Sequence, residues 1–154
     1  MSSSAVNPYA VHDRQKGGLN NPANLYDDEI GLRVWRYYRA SAAVEKGEVV
    51  IVLSNFNVQP ITTTRADGLN VGEAVAMSDV PAGSYGYFQT EGIGEAELAA
   101  NIPANAALYT SATTGRLDDD SNNQTRIFGI RPLEASGGSA RMVRVMLSRP
   151  HNHD

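Results

Sequence analysis

Apolar positions in this chain come in short runs, and the runs are separated by turn residues. Glu48-Val49-Val50-Ile51-Val52-Leu53 is almost continuously apolar after the Lys46-Gly47 turn. A run of that kind predicts a strand. A turn in Asn55 to Gln59 leads into Val58 to Thr64, which is threonine-rich and strand-like, and Val71 to Met77 is apolar around Gly72. Asp79-Val80-Pro81-Ala82-Gly83 predicts a turn, because proline presets φ and glycine supplies a positive φ. Ser84 to Thr90 alternates Tyr85, Tyr87 and Gln89 against Gly86, Phe88 and Thr90, which is the period of a strand. Gly92 and Gly94 bracket Ile93 and predict a bulge or bend, with a weak strand over Glu95 to Leu98. Another strand begins at Leu108-Tyr109, and Thr113 to Leu117 forms a tight hairpin turn. Arg126 to Ile130 and Met142 to Leu147 are the last strands, joined across Ser136-Gly137-Gly138-Ser139. Helix is confined to a possible turn in Glu95 to Ala100, which Pro103 ends.

Strands at this spacing with turn signals between them predict an all-β sandwich or barrel. Residues 1–30 differ. They hold Ser2-Ser3-Ser4, Gly17-Gly18, Asn20-Asn21-Pro22 and the acidic run Asp27-Asp28-Glu29, without a sustained period of 2 or 3.6. They predict an extended, loop-rich N-terminal arm, with Val6, Tyr9, Val11, Leu19, Leu25 and Tyr26 as scattered apolar anchors. The expected organisation is an arm over 1–30, a compact β-barrel-like or β-tulip-like domain over 31–150, and a tail over 151–154.

Between arm and domain, Leu32-Arg33-Val34-Trp35-Arg36-Tyr37-Tyr38-Arg39 is unusual for its arginines and aromatics. As a strand it places Leu32, Val34, Arg36 and Tyr38 on one face and Arg33, Trp35, Tyr37 and Arg39 on the other. Three readings fit. Arginine and stacked aromatics bind single-stranded nucleic acid. Tryptophan, tyrosine and arginine also dominate protein-interface hot spots, which makes Arg33, Trp35, Arg36, Tyr37, Tyr38 and Arg39 candidate partner contacts. Alternatively, the aromatics simply pack onto the barrel.

Composition narrows the field. A length of 154 residues fits one domain able to bury a core without disulfides or metals. The absence of cysteine removes thiolate chemistry and cysteine-ligated zinc. No apolar run reaches the roughly 18–20 residues of a membrane span, and the first residues lack a basic segment followed by an apolar one, so neither a span nor a secretory signal is expected. The net charge of −4 disfavours general nucleic-acid binding, as does Asp27-Asp28-Glu29 just before the arginine-rich strand. Only Lys16 and Lys46 are lysines, and arginine suits planar interface contacts better than lysine does.

Catalytic templates fail one by one. Asp118-Asp119-Asp120-Ser121-Asn122-Asn123 begins like a calcium loop, but Asn123 and Gly129 stand where glycine and glutamate are required. His151 and His153 near the end supply two metal ligands at most, and His12 is far from them in sequence. Neither a G-x-S-x-G elbow nor a phosphate-binding glycine loop is present. No enzyme activity, cofactor or metal is expected.

The run over residues 45–148 resembles the decoration, or cement, proteins of tailed-bacteriophage capsids. The residues that carry the likeness are Lys46-Gly47-Glu48-Val49-Val50, the turn from Ala76 to Gly86, and Glu91-Gly92-Ile93. They continue with Ala106-Ala107-Leu108-Tyr109, Thr114-Gly115-Arg116-Leu117, Ile127-Phe128-Gly129-Ile130 and Val143-Arg144-Val145-Met146-Leu147. The resemblance implies a β-barrel or β-tulip domain made in the host cytoplasm. It implies assembly as a homotrimer on the outer capsid surface of the virion, locking neighbouring major capsid protein subunits, with no nucleic-acid or membrane partner. Other virion accessory modules, such as a head-fibre base, a tail part or a glycan-binding domain, are the alternative. A trimeric β-barrel nucleotide hydrolase fits poorly, since the uridine, phosphate and glycine-rich arm motifs of such enzymes have no counterpart here.

Overall fold

The computed structural model describes residues 7–27, 31–66 and 70–152. The fold is all-β, as the spacing of apolar runs predicts. Its strands are β1 (Val11–His12), β2 (Pro22–Asp27), β3 (Gly31–Ala40), β4 (Val49–Val52), β5 (Asn57–Pro60), β6 (Gly72–Ala76), β7 (Tyr85–Leu98), β8 (Leu108–Thr110), β9 (Leu117–Asp118), β10 (Arg126–Pro132) and β11 (Arg141–His151). The one helical turn among the described residues is α1 (Thr63–Ala66).

The strands form one sheet that closes on itself twice. In the first ring, β7 pairs with β6, β6 with β4, β4 with β5, β5 with β3, and β3 back with β7. In the second, β7 pairs with β9, β9 with β8, β8 with β10, β10 with β11, and β11 back with β7. Strand β7 belongs to both. Its residues 85–91 face β3 and its residues 91–98 face β11. Closure removes most free strand edges, which is how small β proteins avoid edge-to-edge association.

Each ring has a core. Tyr38, Ala40, Val50, Val52, Ala74 and Phe88 fill the first with their neighbours. Ala96, Leu98, Leu108, Leu117, Val143 and Val145 belong to the second. Val49, Ile51 and Val75 join that second cluster, although they lie on β4 and β6 of the first ring. Alternate residues of β4 therefore enter different cores, and all four are buried. This is why its sequence lacks the polar alternation of a one-sided strand.

Two segments depart from their predicted form. The run Val58 to Thr64 is not one strand. β5 stops at Pro60, and the Thr62 hydroxyl accepts the Arg65 N–H at 3.1 Å, capping the turn that becomes α1. Glu95 to Leu98 is strand as read, and the helical turn that propensity also allowed does not form, because β11 pairs with it residue by residue and buries Ala96 and Leu98. Ser84 to Thr90 and Glu95 to Leu98 are joined into one 14-residue strand. Gly92, at φ +91°, marks the point where that strand passes from one ring to the other. A Cβ there would overlap the Leu32 carbonyl oxygen.

Within the segment read as a loop-rich arm, β1 pairs with β7 and β2 pairs along β3, so both add strands to the same sheet. At the other end, β11 continues to His151, which pairs with Phe128 and stacks on its ring at 5.5 Å. No helix among the described residues is long and apolar enough to cross a membrane.

Candidate functional site

Strand β3 carries the residues singled out by sequence, and the structure separates them. Tyr38 points into the first ring, stacking on Phe56 and packing against Phe88. Its hydroxyl donates to Asn20 Oδ1 at 2.8 Å, and burial pushes its pKa up to about 12. Tyr37 points outward but is covered by the N-terminal segment. Its hydroxyl meets His12 Nδ1 at 2.9 Å and accepts the Lys16 N–H at 3.0 Å, and its ring packs against Tyr85 and Tyr87. Burial raises the Tyr37 pKa. Trp35 is 4% exposed, beneath the Arg33 guanidinium at 5.3 Å. All three rings of the strand are thus consumed by packing within the chain and leave no open face on which a base or a sugar could stack. What remains partly exposed is Arg33, Arg36 and Arg39. Of these, Arg36 donates to the Asn20 carbonyl at 3.1 Å. The acidic run before the strand lies outside the described residues at Asp28 and Glu29.

Arg33 borders a cleft of about 340 Å³ between the two rings. Lys46, from the turn before β4, and Arg144, from β11, border it too. Met77, Ile93 and Met142 give it apolar walls, and Tyr9 of the N-terminal segment closes one side. Local chain geometry explains the shape. Gly94 leaves room for the Gln89 amide, which would stand 2.6 Å from any Cβ there and donates to the Glu91 and Ile93 carbonyls at 3.0 Å each. Gly47 has φ +86° and packs directly under the Met142 thioether. Lys46 is held by its backbone N–H, which donates to Asp79 Oδ1 at 2.8 Å, and its ammonium lies 5.8 Å from the Tyr9 ring centre.

The electrostatics of this cleft are unusual for an acidic chain. Among the described residues, ion pairs join Arg116 to Glu97, Arg141 to Glu134 and Arg149 to Glu91. No described carboxylate lies within 4.0 Å of the side-chain nitrogens of Arg33, Lys46 or Arg144. Arg33 Nε is buried without a hydrogen-bond acceptor. The acidic residue on the rim is Glu95, across the strand pair from Arg144.

A second cavity, about 320 Å³, opens at the mouth of the first ring and is bordered by Arg36, Tyr38, Glu73, Thr90, Arg149 and His151. Glu73 is 2% exposed and neither carboxyl oxygen has a hydrogen-bond partner. Burial alone pushes its pKa up to about 8, so the group is mostly protonated at neutral pH. Among the described residues no group of three or more histidine, aspartate or glutamate side chains is arranged to hold a metal ion.

Sequence reading found Arg33 but not its companions. Lys46 reads as a turn residue and Arg144 as the outward position of a closing strand. Glu73 is hidden in an apolar run. The one signal available was the scarcity of lysine, which makes Lys46 conspicuous. Convergence of three cations from segments 33, 46 and 144 is a product of the double closure. No protein-family model and no curated protein sequence matches the chain.

Proposed function

We propose that this chain is a structural virion protein that binds the outer surface of a tailed-phage capsid, as a homotrimer, and cements neighbouring major capsid protein subunits. What carries the reading is that the segments resembling decoration proteins, scattered over residues 45–148, meet one another in the fold. The Lys46 N–H donates to Asp79, and Gly47 N–H donates to the Ala76 carbonyl at 2.9 Å, joining the first segment to the proline-glycine turn. Val49 N–H donates to the Gly115 carbonyl at 2.9 Å, joining it to the glycine hairpin. Gly129, at φ +73°, lets β10 bulge where the Ser148 carbonyl of β11 would stand 2.7 Å from a Cβ. A likeness spread over separate turns is more specific when those turns form one contact network, because each constrains the others. The role also suits a rigid, ring-closed body, since attachment repeated over a lattice multiplies modest contacts into durable binding.

The test is sedimentation of the purified chain with tailed-phage capsids that lack it, followed by electron microscopy. Regular density on the outer face, in threefold clusters, is the expected result. Failure to co-sediment, together with absence from purified virions, would sink the reading.

A further inference from the structure

We propose that the cleft between the two rings is a docking site for an extended protein segment that carries carboxylate side chains around an apolar residue. The inference rests on the cleft alone and does not require the capsid reading.

Charge complementarity is the first argument. The chain has 17 acidic and 13 basic residues, so a basic side chain meets an acidic partner easily, and Arg116, Arg141 and Arg149 do so. Arg33, Lys46 and Arg144 instead converge on one cleft without a described ion-pair partner within 4.0 Å, and Glu95, opposite Arg144 on the strand pair, is the one described carboxylate on its rim, so positive charge is in excess there. Clustering like charges is unfavourable in the free protein, and an incoming carboxylate relieves it.

The apolar walls decide between kinds of carboxylate. Met77, Ile93 and Met142 share the cleft with the cations. Methionine adapts its shape to what it covers, and it is favoured at surfaces that accept peptide side chains. The three cations come from three separate elements: β3, the turn before β4, and β11. A small anion makes no use of the methionines. A chain segment with acidic residues flanking an apolar one satisfies the cations and the methionines together. A cavity of about 340 Å³ is of the size that takes a few side chains.

The test uses the full-length protein and an array of eight-residue peptides in which glutamate, glutamine and leucine are permuted through all positions. Binding is read at low and at physiological salt. Binding concentrated on peptides with at least two glutamates flanking a leucine is the expected result, with the glutamine-only versions silent. Lys46 and Arg144 are exposed, so K46Q/R144Q keeps the fold, which near-ultraviolet circular dichroism checks. That variant should bind the best peptide at least tenfold more weakly. R126Q, on β10 outside the cleft, should bind it as the parent does. The proposal is overturned by an array without binders, or by binding that K46Q/R144Q leaves intact. It is equally overturned by equal loss in R126Q, which would mean nonspecific charge attraction, or by free citrate displacing the peptide at equal concentration, which would mean a small-anion site.

Discussion

Glu73 is the residue where local chemistry is most exposed to measurement. A carboxyl ordinarily near 4.5 is held near 8 by burial, with no cation or hydrogen bond to offset the desolvation. The folded state therefore keeps a proton that the unfolded state releases between pH 4.5 and 8. Stability is highest below the unfolded pKa and falls as pH rises through that window. By linkage the loss reaches about 3–5 kcal/mol at pH 9. Glu73→Gln mimics the protonated form. Urea unfolding of the variant should match the parent within about 1 kcal/mol at pH 5 and exceed it by a few kcal/mol at pH 9. Parallel curves for the two proteins across that range would show that Glu73 does not titrate in this way. Gly92 gives a second residue-scale test. Its positive φ and the Leu32 carbonyl beside it exclude a side chain on both conformational and steric grounds. Gly92→Ala should cost about 2–4 kcal/mol in thermal or denaturant unfolding. Gly94→Ala meets only the movable Gln89 amide and should cost less. The glycine pair was legible in sequence as a bend. Glu73 was not, because desolvation depends on what covers a strand and the apolar run around it says nothing about its cover.

At the scale of elements, the strands that sequence revealed are those whose burial follows a simple rule. β4 announced itself as a continuous apolar run because both its faces enter cores. The alternation in β7 was legible over Ser84 to Thr90 and only as a weak strand beyond Gly92, because Glu95-Ala96-Glu97-Leu98 is helix-prone by itself and owes its strand to pairing with β11. β2 was illegible for a similar reason. Pro22-Ala23-Asn24-Leu25-Tyr26-Asp27 has little strand propensity of its own and is strand because β3 supplies its hydrogen bonds. The aromatic content of β3 was read correctly as special, but its packing depends on the segment before β2, which the pattern marked only as arm. That segment is fastened by the pairing of β1 with β7, by Ser78 Oγ donating to the Tyr9 carbonyl, and by the Tyr37 hydroxyl, which His12 and Lys16 share. Tyr37→Phe keeps the ring in its stack of tyrosines and removes the last of these fastenings. Global stability should fall by only about 1 kcal/mol. Hydrogen exchange over residues 10–17 should speed up far more than in β4 or β7, since local opening of that segment no longer breaks the tether. Uniform acceleration across the molecule would mean that the segment does not open on its own.

At the scale of the whole molecule, the decisive feature is that one strand serves two rings. Phe88 fills the core of the first and Leu98 that of the second, ten residues apart on β7. β4 and β6 strengthen the coupling, since Val49, Ile51 and Val75 enter the core shared with the second ring. Neither ring keeps all its pairings once β7 detaches from the other, so the two should unfold as one unit despite having separate cores. The position of Trp35 makes this measurable. The only tryptophan of the chain lies on β3 beside Gln89, in the first ring. Its fluorescence therefore reports one ring, while far-ultraviolet circular dichroism reports both. Leu98→Ala creates its cavity in the second core and should cost about 2–5 kcal/mol. If the rings are one cooperative unit, that variant shifts the Trp35 fluorescence midpoint by the same amount as the circular-dichroism midpoint, and the two curves stay superimposed. A Trp35 transition left at the parental midpoint while the dichroism curve splits would mean two independent units joined by a strand. Cooperativity of this kind also bears on the proposed role. A load applied at one ring reaches the other through β7 without an intervening linker, so under the proposed role the same Leu98→Ala variant should lower the heat resistance of decorated capsids even though the substituted side chain is fully buried.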